Sequence, residues 1–398
     1  NAIANSERAV PRTCVKRASR RAVEDPKIGL LMCCLPGRVI YCVSLPRPIE
    51  EVQRELGLDD IIKLASNENP HGPSPKALSA IQNSMTESHR YPDASGYELR
   101  KKLSNRFNVN MNNVVLGSGS EGIMSTIMRT FLLNDDELVS ALNSFIGFRV
   151  LANASGNKIH WVPMKNHRYD LESMVDKITD YTKIVYIANP DNPMGTYITR
   201  KEFDAFYSHV PDRVLIILDE AYFEYAESRE DYPDSMTYRY DNVITLRSFS
   251  KAYGLGGVRI GYGFAHDELI SNLLKVKVPF EPSALAQIAG YAALDDSDFL
   301  SKTIETNRNG MDYLEEQLET IGVKYIPSIA NFITTIWDSE SKATELTKEL
   351  LKKMGHKKLT VDLQNEITEI PDSLSKYNLE IGEDKKSVNY TYNVRAKS

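Results

Sequence analysis

The chain has little of three features that would point to particular classes of protein. Only four of its 398 residues are cysteine, and all four lie before residue 43, which argues against a disulfide framework. No apolar run approaches the roughly 18 residues of a membrane-spanning helix. Its 48 Lys and Arg are fewer than its 54 Asp and Glu. Because phosphate recognition needs a basic surface, the net charge of -6 argues against nucleic acid as a partner.

The first 46 residues differ in composition from the rest. They carry eight Lys or Arg against three Asp or Glu, a net charge of +5, which leaves -11 for the remainder. A secretory signal fits them poorly and an organelle transit peptide slightly better, so we assign no targeting function and expect a cytoplasmic protein. The cysteine spacings match no zinc pattern, and we predict no metal site.

From about residue 48 onward, helical segments alternate with short β-branched runs. Pro and acidic residues open a predicted helix over 48–57, a Gly- and Pro-rich loop covers 67–75, and a second helix follows over 75–84. We predict strands at 114–116, 158–162, 183–188, 213–218, 243–246 and 259–264. Several are apolar on both faces, which predicts an α/β domain with a mainly parallel sheet covered by helices on both sides.

In such sheets ligands bind beyond the carboxyl ends of the strands, so the polar residues there are candidates for a site. Four segments stand out: Gly117-Ser-Gly-Ser-Glu-Gly122, Asn189-Pro-Asp-Asn-Pro193, Asp219-Glu-Ala-Tyr222, and Ser248-Phe-Ser-Lys251 continuing to Arg259. The first matches neither the Walker nor the GxGxxG pattern, which disfavours nucleoside triphosphates and a nicotinamide dehydrogenase. It is either an anion site at a helix N-terminus or an ordinary Gly-Ser turn.

Two ionisable residues in these segments carry the chemical argument. Asp219 follows five apolar residues, so its charge needs a cationic partner, either a ligand or a local Arg. Lys251 lies among small and aromatic residues, where the pKa of a lysine can fall and its amine can act as a nucleophile. A lysine, a buried Asp and a phosphate site are what pyridoxal phosphate requires.

In these segments the sequence resembles the fold-type I pyridoxal phosphate aminotransferases, and among them the histidinol-phosphate aminotransferases. The resemblance covers about residues 46–354, and its motifs occur in the family's order. The matching stretches are Lys63-Leu-Ala-Ser-Asn-Glu-Asn-Pro70, Arg90-Tyr-Pro92, Gly117-Ser-Gly-Ser120, Asn189–Pro193, Asp219–Tyr222, Ser248–Arg259, and Pro279-Phe280 with Ser283. It implies a large domain with a mainly parallel sheet and a smaller α+β domain.

The resemblance also implies roles for the residues around the cofactor ring. Lys251 would bond the cofactor covalently and then carry the proton, and Asp219 would pair with the pyridine nitrogen. Asn192 and Tyr222 would hydrogen-bond the ring's 3-oxygen. Phe145 would stack on the ring, with Phe148 as the alternative.

The phosphate end and the dimer follow from the same resemblance. Ser120 and Glu121 would offer backbone N–H groups to the cofactor phosphate. The remaining members of the phosphate site would be Ser248, Ser250, Arg259 and, from the neighbouring subunit, Tyr91. The active unit would then be a homodimer, and the 67–75 loop would cover the substrate. Met194 stands where Thr is usual, which should affect packing near Asn192 more than chemistry.

The sequence departs from the family near its C-terminus. The family carries an Arg there that clamps the substrate, whereas beyond Arg308 this chain has only Arg395, in a context that does not match the motif. Residues 355–398 carry seven basic and seven acidic residues and show no strand pattern. A bidentate Arg contributes geometry that Lys cannot replace. A catalytically impaired, cofactor-binding homologue is therefore one alternative.

The resemblance implies transamination between L-histidinol phosphate and 2-oxoglutarate, giving imidazole acetol phosphate and L-glutamate, in histidine biosynthesis. A threonine-phosphate decarboxylase-like enzyme is a second alternative, because such enzymes share most of these residues. The predicted organisation has atypical segments at both ends, over 1–46 and 355–398. Between them lie an arm with part of a small domain over 47–92, the large cofactor domain over 93–300, and the rest of the small domain over 301–354.

Overall fold

The structure is a computed structural model. It describes residues 66–235 and 241–339, together with 33–35, 38–40, 54, 342, 356–362, 379–381 and 387–393. The chain forms two compact units, one of residues 36–39 and 66–337, the other of 1–35, 40–65 and 338–398. The predicted helix over 48–57 lies outside the described residues apart from Arg54. The predicted domain boundaries stay a prediction.

The described residues form ten helices and fourteen strands. The helices are α1 (Pro75–Ser84), α2 (Tyr97–Arg106), α3 (Gly119–Phe131), α4 (Ile146–Ser155), α5 (Leu171–Val175), α6 (Arg200–Tyr207), α7 (Phe223–Ala226), α8 (Asp267–Val276), α9 (Ala284–Ala293) and α10 (Ser297–Thr320). The strands are β1 (Cys33–Leu35), β2 (Arg38–Ile40), β3 (Val114–Gly117), β4 (Glu137–Ala141), β5 (Lys158–Val162), β6 (Thr182–Ala188), β7 (Leu215–Asp219), β8 (Val243–Ser248), β9 (Gly261–Phe264), β10 (Lys324–Ile326), β11 (Thr334–Ile336), β12 (His356–Asp362), β13 (Leu379–Ile381) and β14 (Ser387–Asn393).

The centre of the larger unit is a seven-stranded sheet in the order β3-β9-β8-β7-β6-β4-β5. Strands β8, β7, β6, β4 and β5 run parallel, and β9 runs antiparallel to both of its neighbours. Helices connect the parallel strands, as crossover connections require. The predicted α/β fold with a mainly parallel sheet is confirmed.

Both faces of the sheet are buried, which explains why its central strands are apolar at successive positions. In β7, Leu215 and Ile217 join a cluster with α3, α4 and α8 on one face. Ile216 and Leu218 join a second cluster with α5 and α6 on the other face. Successive side chains of a strand point to opposite faces, so a strand covered twice must be apolar throughout.

Local signals set the helix boundaries that the sequence predicts well. The Ser74 hydroxyl accepts a hydrogen bond from the Ala77 N–H, and Pro75 occupies the first turn, so α1 begins where predicted and ends at Ser84. Helix α6 begins with a reciprocal capping box between Thr199 and Glu202. These interactions lie within one turn of sequence and need no tertiary contact.

Sequence reasoning missed strand β4, because it begins with a charge. Glu137 is only 7% exposed, and its carboxylate accepts hydrogen bonds from Lys158 at 2.7 Å and Thr179 at 2.7 Å. His160 lies 2.8 Å from the same carboxylate. The Lys158 contact, with those of Thr179 and His160, lowers the pKa of Glu137 to about 2. Partners on neighbouring elements therefore allow an acidic residue inside the sheet.

The expectation that residues 355–398 lack strands is wrong. Strand β14 pairs antiparallel with both β12 and β13 in a three-stranded sheet. Its register sets Tyr390 opposite Leu359 and Leu379, and sets Val388 opposite Val361 and Ile381. The apolar positions alternate with period two, but each strand has only two or three of them, so the pattern is weak in the sequence.

Candidate active site

A cavity opens at the carboxyl ends of β6, β7 and β8, within the larger unit. Its wall is formed by Ser120, Glu121, Phe145, Tyr186, Ala188, Pro190, Asn192, Asp219, Ala221, Tyr222, Ser248, Ser250, Lys251 and Arg259. Ten of the eleven residues that the sequence predicts to bind cofactor are among them. The elements that carry these residues are far apart along the chain, and the parallel sheet brings their ends to one edge.

Asp219 is the last residue of β7 and is only 3% exposed. Its carboxylate accepts hydrogen bonds from the Tyr186 hydroxyl at 2.9 Å and the Ala221 N–H at 3.2 Å. Burial raises its pKa to about 7. In the described part of the chain no Lys, Arg or His forms an ion pair with it. The interpretation as a salt bridge to a local Arg therefore does not apply to Asp219.

The neighbouring carboxylate, Glu220, takes the local arginine. Arg247 lies 2.8 Å from Glu220 and 2.7 Å from Asp234, and the side chains of Glu220 and Arg247 are fully buried. The Arg247 guanidinium also lies 3.3 Å from the centre of the Phe223 ring. Two adjacent acids thus differ in function, because successive residues at a strand end face opposite sides.

Lys251 follows β8 by three residues, and its side chain reaches the same cavity. Its ammonium group donates a hydrogen bond to the Ser66 carbonyl oxygen at 3.0 Å and lies 5.5 Å from the centre of the Tyr222 ring. No carboxylate of the described residues lies within ion-pair distance of it. Burial lowers the pKa of Lys251 to about 8, which brings its amine toward the neutral, nucleophilic form near physiological pH.

Tyr222 lines the cavity beside Lys251 and is only 3% exposed. Its hydroxyl oxygen accepts hydrogen bonds from the side-chain amides of Asn192 at 3.1 Å and Asn67 at 3.0 Å. Burial raises the pKa of Tyr222, so the phenol is neutral at physiological pH. The structure therefore brings Asn192 and Tyr222 together as predicted and adds Asn67, which sequence reasoning placed only in a covering loop.

The N-terminus of α3 contributes Ser120 and Glu121 to the wall of the cavity. The Ser118 side chain does not cap the helix, so the first-turn N–H groups, including those of Ser120 and Glu121, have no partner within it. Arg259 lies beside them, 3.3 Å from the Glu121 carboxylate and 3.4 Å from the Ser250 hydroxyl. The Ser250 N–H donates to the Ser248 hydroxyl at 3.0 Å, which fixes the loop that follows β8.

Arg259 is not part of a strand, which corrects the prediction of a strand over 259–264. Its φ of 59° lies in the left-handed region, which costs an L-residue about 1–2 kcal/mol, and β9 begins only at Gly261. This backbone conformation accompanies the approach of the guanidinium to α3. Strain of this kind is often found at functional sites.

Of the two aromatic candidates for ring stacking, Phe145 lines the cavity. Phe148 is 1% exposed and stacks on Tyr186, with ring centres 4.0 Å apart, in the core on one face of the sheet. Phe145 immediately precedes α4, whereas Phe148 lies in the first turn of that helix. The two side chains therefore point in different directions.

Several residues at the site were missed. Tyr186, Ala188, Pro190 and Ala221 line the cavity, and Tyr186 supports Asp219. The available signal for Tyr186 was its hydroxyl within the otherwise apolar run 184–188, two positions before the end of β6.

A buried network behind Asn192 was also missed. Asp191 accepts hydrogen bonds from Ser144 at 2.7 Å and from the N–H of Met194 at 3.0 Å, and burial raises its pKa to about 7. Met194 is 1% exposed, so this departure from the family does lie in the packing next to Asn192.

One predicted site residue, Tyr91, is not part of this cavity. Tyr91 is 81% exposed and stacks on Phe280, with ring centres 4.4 Å apart. Arg395 lies outside the described residues. Among the described residues, no cluster of His, Cys, Asp or Glu could hold a metal ion. None of the described helices has an apolar stretch that would carry it through a lipid bilayer.

At Gly261 the backbone of the first turn of α3 leaves no room for a side chain. A Cβ there would lie 2.6 Å from the carbonyl carbon of Gly119 and 2.7 Å from the N atom of Ser120. We expect Gly261→Ala to displace the first turn of α3, to lower the free energy of unfolding by about 1–3 kcal/mol and to weaken binding of the predicted cofactor about tenfold or more.

Thermal unfolding and a cofactor titration monitored by absorbance measure the two effects of Gly261→Ala. Gly257→Ala is the matched control, since a Cβ at Gly257 meets nothing within 4 Å. Unchanged cofactor affinity in Gly261→Ala would show that the first turn of α3 does not hold the phosphate.

Comparison with known proteins identifies relatives over most of the chain. The family model "Aminotransferase class I and II" matches residues 59–357. Histidinol-phosphate aminotransferase of Moorella thermoacetica is 43% identical over 310 residues, covering 77% of this chain and 80% of its own. Histidinol-phosphate aminotransferase 2 of Pseudomonas fluorescens is 38% identical over 371 residues, covering 89% and 97%. The crystal structure of the Sinorhizobium meliloti histidinol-phosphate aminotransferase in complex with pyridoxal-5'-phosphate is similar, with a TM-score of 0.68, 30% identity and coverage of 73% and 79%.

Proposed function

The chain belongs to the class I and II aminotransferases, and from this premise we propose that it transfers an amino group between L-histidinol phosphate and 2-oxoglutarate. The products are imidazole acetol phosphate and L-glutamate, and the reaction belongs to histidine biosynthesis. The relatives named histidinol-phosphate aminotransferase, at 38–43% identity over 77–89% of the chain, support this substrate. The observation that carries the chemistry is the single cavity that holds both Lys251 and Asp219.

The cofactor is pyridoxal phosphate, and the residues of the cavity fit it. Asp219 is a buried carboxylate without a cationic partner among the described residues, which suits a protonated pyridine nitrogen. The uncapped first turn of α3, together with Arg259 and Ser250, suits a phosphate group. Lys251 lines the same cavity, and its pKa is lowered toward neutrality.

We propose the following roles for the side chains of the cavity. When bound, the cofactor supplies an aldehyde and a ring that accepts electrons from the substrate's α-carbon. Lys251 Nζ would hold the aldehyde carbon with loss of water, and once the substrate amine displaces it, the free Lys251 amine would carry a proton to and from the substrate's α-carbon. The Asp219 carboxylate keeps a proton on the ring nitrogen, and Tyr186 holds that carboxylate in place. Asn192 and Tyr222 hydrogen-bond the ring's 3-oxygen, and Phe145 covers one face of the ring.

A half-reaction with each substrate tests this function. Protein loaded with pyridoxal phosphate is mixed with L-histidinol phosphate, and the visible absorbance of the cofactor should fall in a single turnover, with imidazole acetol phosphate as the product. Addition of 2-oxoglutarate should restore the absorbance and yield L-glutamate. L-histidinol, which lacks the phosphate, is the matched control substrate and should react far more slowly.

Two outcomes of this experiment would contradict the proposal. A protein that binds cofactor but completes no half-reaction with either L-histidinol phosphate or L-glutamate is an impaired homologue. Release of carbon dioxide from threonine phosphate would instead assign a decarboxylase.

The lowered pKa of Lys251 predicts how cofactor loading depends on pH. Only the neutral amine attacks an aldehyde, and below its pKa the neutral fraction rises tenfold per pH unit. We expect the second-order rate of pyridoxal phosphate capture to rise between pH 6 and about 8 and then to level off. Stopped-flow absorbance on cofactor-free protein measures this rate. A rate that keeps rising to about pH 10, where an ordinary lysine titrates, would show that burial does not tune this amine.

We further propose that the active unit is a homodimer in which Tyr91 of one subunit reaches the phosphate site of the other. The exposure of Tyr91, at 81%, supports this arrangement because a large aromatic ring at the surface suits an interface. Lys251→Ala and Tyr91→Ala proteins should each lose most of their activity as pure dimers. In a mixed dimer, one site would combine an intact Lys251 with an intact Tyr91.

Refolding the two variants together should therefore restore activity, up to about a quarter of the wild-type value for a random mixture of subunits. Steady-state assays across mixing ratios measure this recovery. Mixtures whose activity is only the sum of the two separate variants would contradict a shared site.

A further inference from the structure

The hydroxyl group of Tyr222 uses its whole accepting capacity inside the protein. A phenol has one hydrogen to donate and two lone pairs that accept. The Asn192 amide donates to the oxygen from 3.1 Å and the Asn67 amide from 3.0 Å. Both lone pairs are therefore engaged, and the only remaining capacity of this hydroxyl is to donate its hydrogen.

The hydroxyl hydrogen of Tyr222 is available to a ligand in the cavity. The side chain is 3% exposed, and none of the described residues accepts a hydrogen bond from its hydroxyl. The same side chain lines the cavity. A buried donor without a partner is costly, so the donor is available to whatever the cavity binds.

Backbone contacts hold Asn67 where its amide can act on Tyr222. Its φ of 51° lies in the left-handed region, which Asn tolerates better than most residues. The Asn331 amide donates to the Asn67 carbonyl oxygen at 3.1 Å, and Lys251 donates to the carbonyl of the preceding residue, Ser66, at 3.0 Å. The contact with Asn331 does not involve Lys251, so it continues to hold Asn67 when Lys251 bonds the cofactor.

We propose that Asn67 is a positioning residue that makes Tyr222 an obligatory hydrogen-bond donor toward the cofactor's 3-oxygen. The inference rests on the proposed function, in which Tyr222 contacts that oxygen. Without the Asn67 amide, one lone pair of Tyr222 is open and its hydroxyl hydrogen is free to rotate away. Asn67 therefore links the loop over residues 67–75 to the electronic state of the ring.

Asn67→Gly is the most direct test, because it removes the side chain with its amide and glycine adopts a positive φ without strain. A donor to the 3-oxygen stabilises that oxygen as an anion and lowers its affinity for a proton. We expect Asn67→Gly to raise the pH midpoint of the bound cofactor's visible absorbance by about 0.5–1 unit. The dissociation constant of the cofactor should rise about fivefold.

A double-mutant cycle separates this role from a general effect on the loop. Tyr222→Phe removes the donor itself and should raise the midpoint by at least as much as Asn67→Gly. In the Tyr222→Phe background, Asn67→Gly should leave the midpoint unchanged, because its effect acts through the hydroxyl. A shift of equal size in both backgrounds would overturn the proposal.

Asn69→Ala is the control variant within the same loop. Asn69 anchors the loop by donating to the Ala252 carbonyl oxygen at 2.9 Å and the Thr303 hydroxyl at 3.1 Å, and it does not line the cavity. We expect a lower Tm for Asn69→Ala without a change in the absorbance midpoint.

The cycle also distinguishes failure of this inference from failure of the proposed function. If Tyr222→Phe shifts the midpoint and Asn67→Gly does not, the role of Asn67 is overturned while the function stands. If Tyr222→Phe itself has no effect, the proposed position of the cofactor ring is wrong, and the inference falls with it.

Discussion

Replacement of Lys251 by Ala is expected to abolish both covalent cofactor capture and turnover, with kcat lower by about 10⁴-fold or more. Among the ionisable side chains that line the cavity, that of Lys251 is the amine that can bond an aldehyde. Burial lowers its pKa to about 8. No neighbouring side chain of the cavity wall carries a second amine. Borohydride reduction followed by peptide mapping, together with single-turnover assays, measures both effects.

Two further variants make the Lys251→Ala result specific. Lys251→Arg keeps a cation at the same position but cannot form the bond, so it should be as inactive as Lys251→Ala. Lys183 lies in β6 outside the cavity, and Lys183→Ala should retain normal trapping and turnover. A Lys251→Ala protein that still becomes covalently labelled with cofactor would refute the proposed chemistry.

The second large effect is expected at two adjacent carboxylates, where loss of Asp219 should reduce turnover and loss of Glu220 should reduce stability. Asp219→Asn removes the partner of the ring nitrogen, and loss of one member of a buried ion pair costs about 3–5 kcal/mol. We therefore expect kcat to fall between about 100- and 5,000-fold. The Tm of the cofactor-free protein should change little, because Asp219 has no cationic partner among the described residues.

Glu220→Gln is the matched comparison for Asp219→Asn. It leaves Arg247 buried with only Asp234 as a charged partner, so we expect a loss of about 3 kcal/mol in the free energy of unfolding. For a chain of this size that lowers Tm by roughly 3–5 °C. Turnover per folded molecule should remain near the wild-type value.

Steady-state kinetics at saturating cofactor and thermal unfolding of cofactor-free protein distinguish the two carboxylates. If Asp219→Asn loses stability and Glu220→Gln loses turnover, the assignment of the two acids is reversed. If both variants keep normal turnover, neither carboxylate acts on the ring.

Much of this protein is determined by interactions that are close in sequence. Ser74 and Pro75 fix the start of α1 within one turn, and runs of successive apolar residues, such as 215–218 in β7, indicate a sheet covered on both faces. The residues at the strand ends, with Asp219 and Lys251 as the most informative, were sufficient to predict the cofactor and the family. These features depend on residue type and on neighbours close in sequence, so they can be predicted without the tertiary contacts.

Only the tertiary structure decided which residue among similar neighbours faces the cavity. Glu220 and not Asp219 takes Arg247, which lies 27 residues further along the chain. Asn67 reaches Tyr222 across 155 residues of sequence, and Glu137 is buried in β4 because side chains of other elements satisfy its carboxylate. Such burial depends on a charge or an amide meeting its partner in space, and the sequence specifies the residue types but not which pairs come within hydrogen-bond distance.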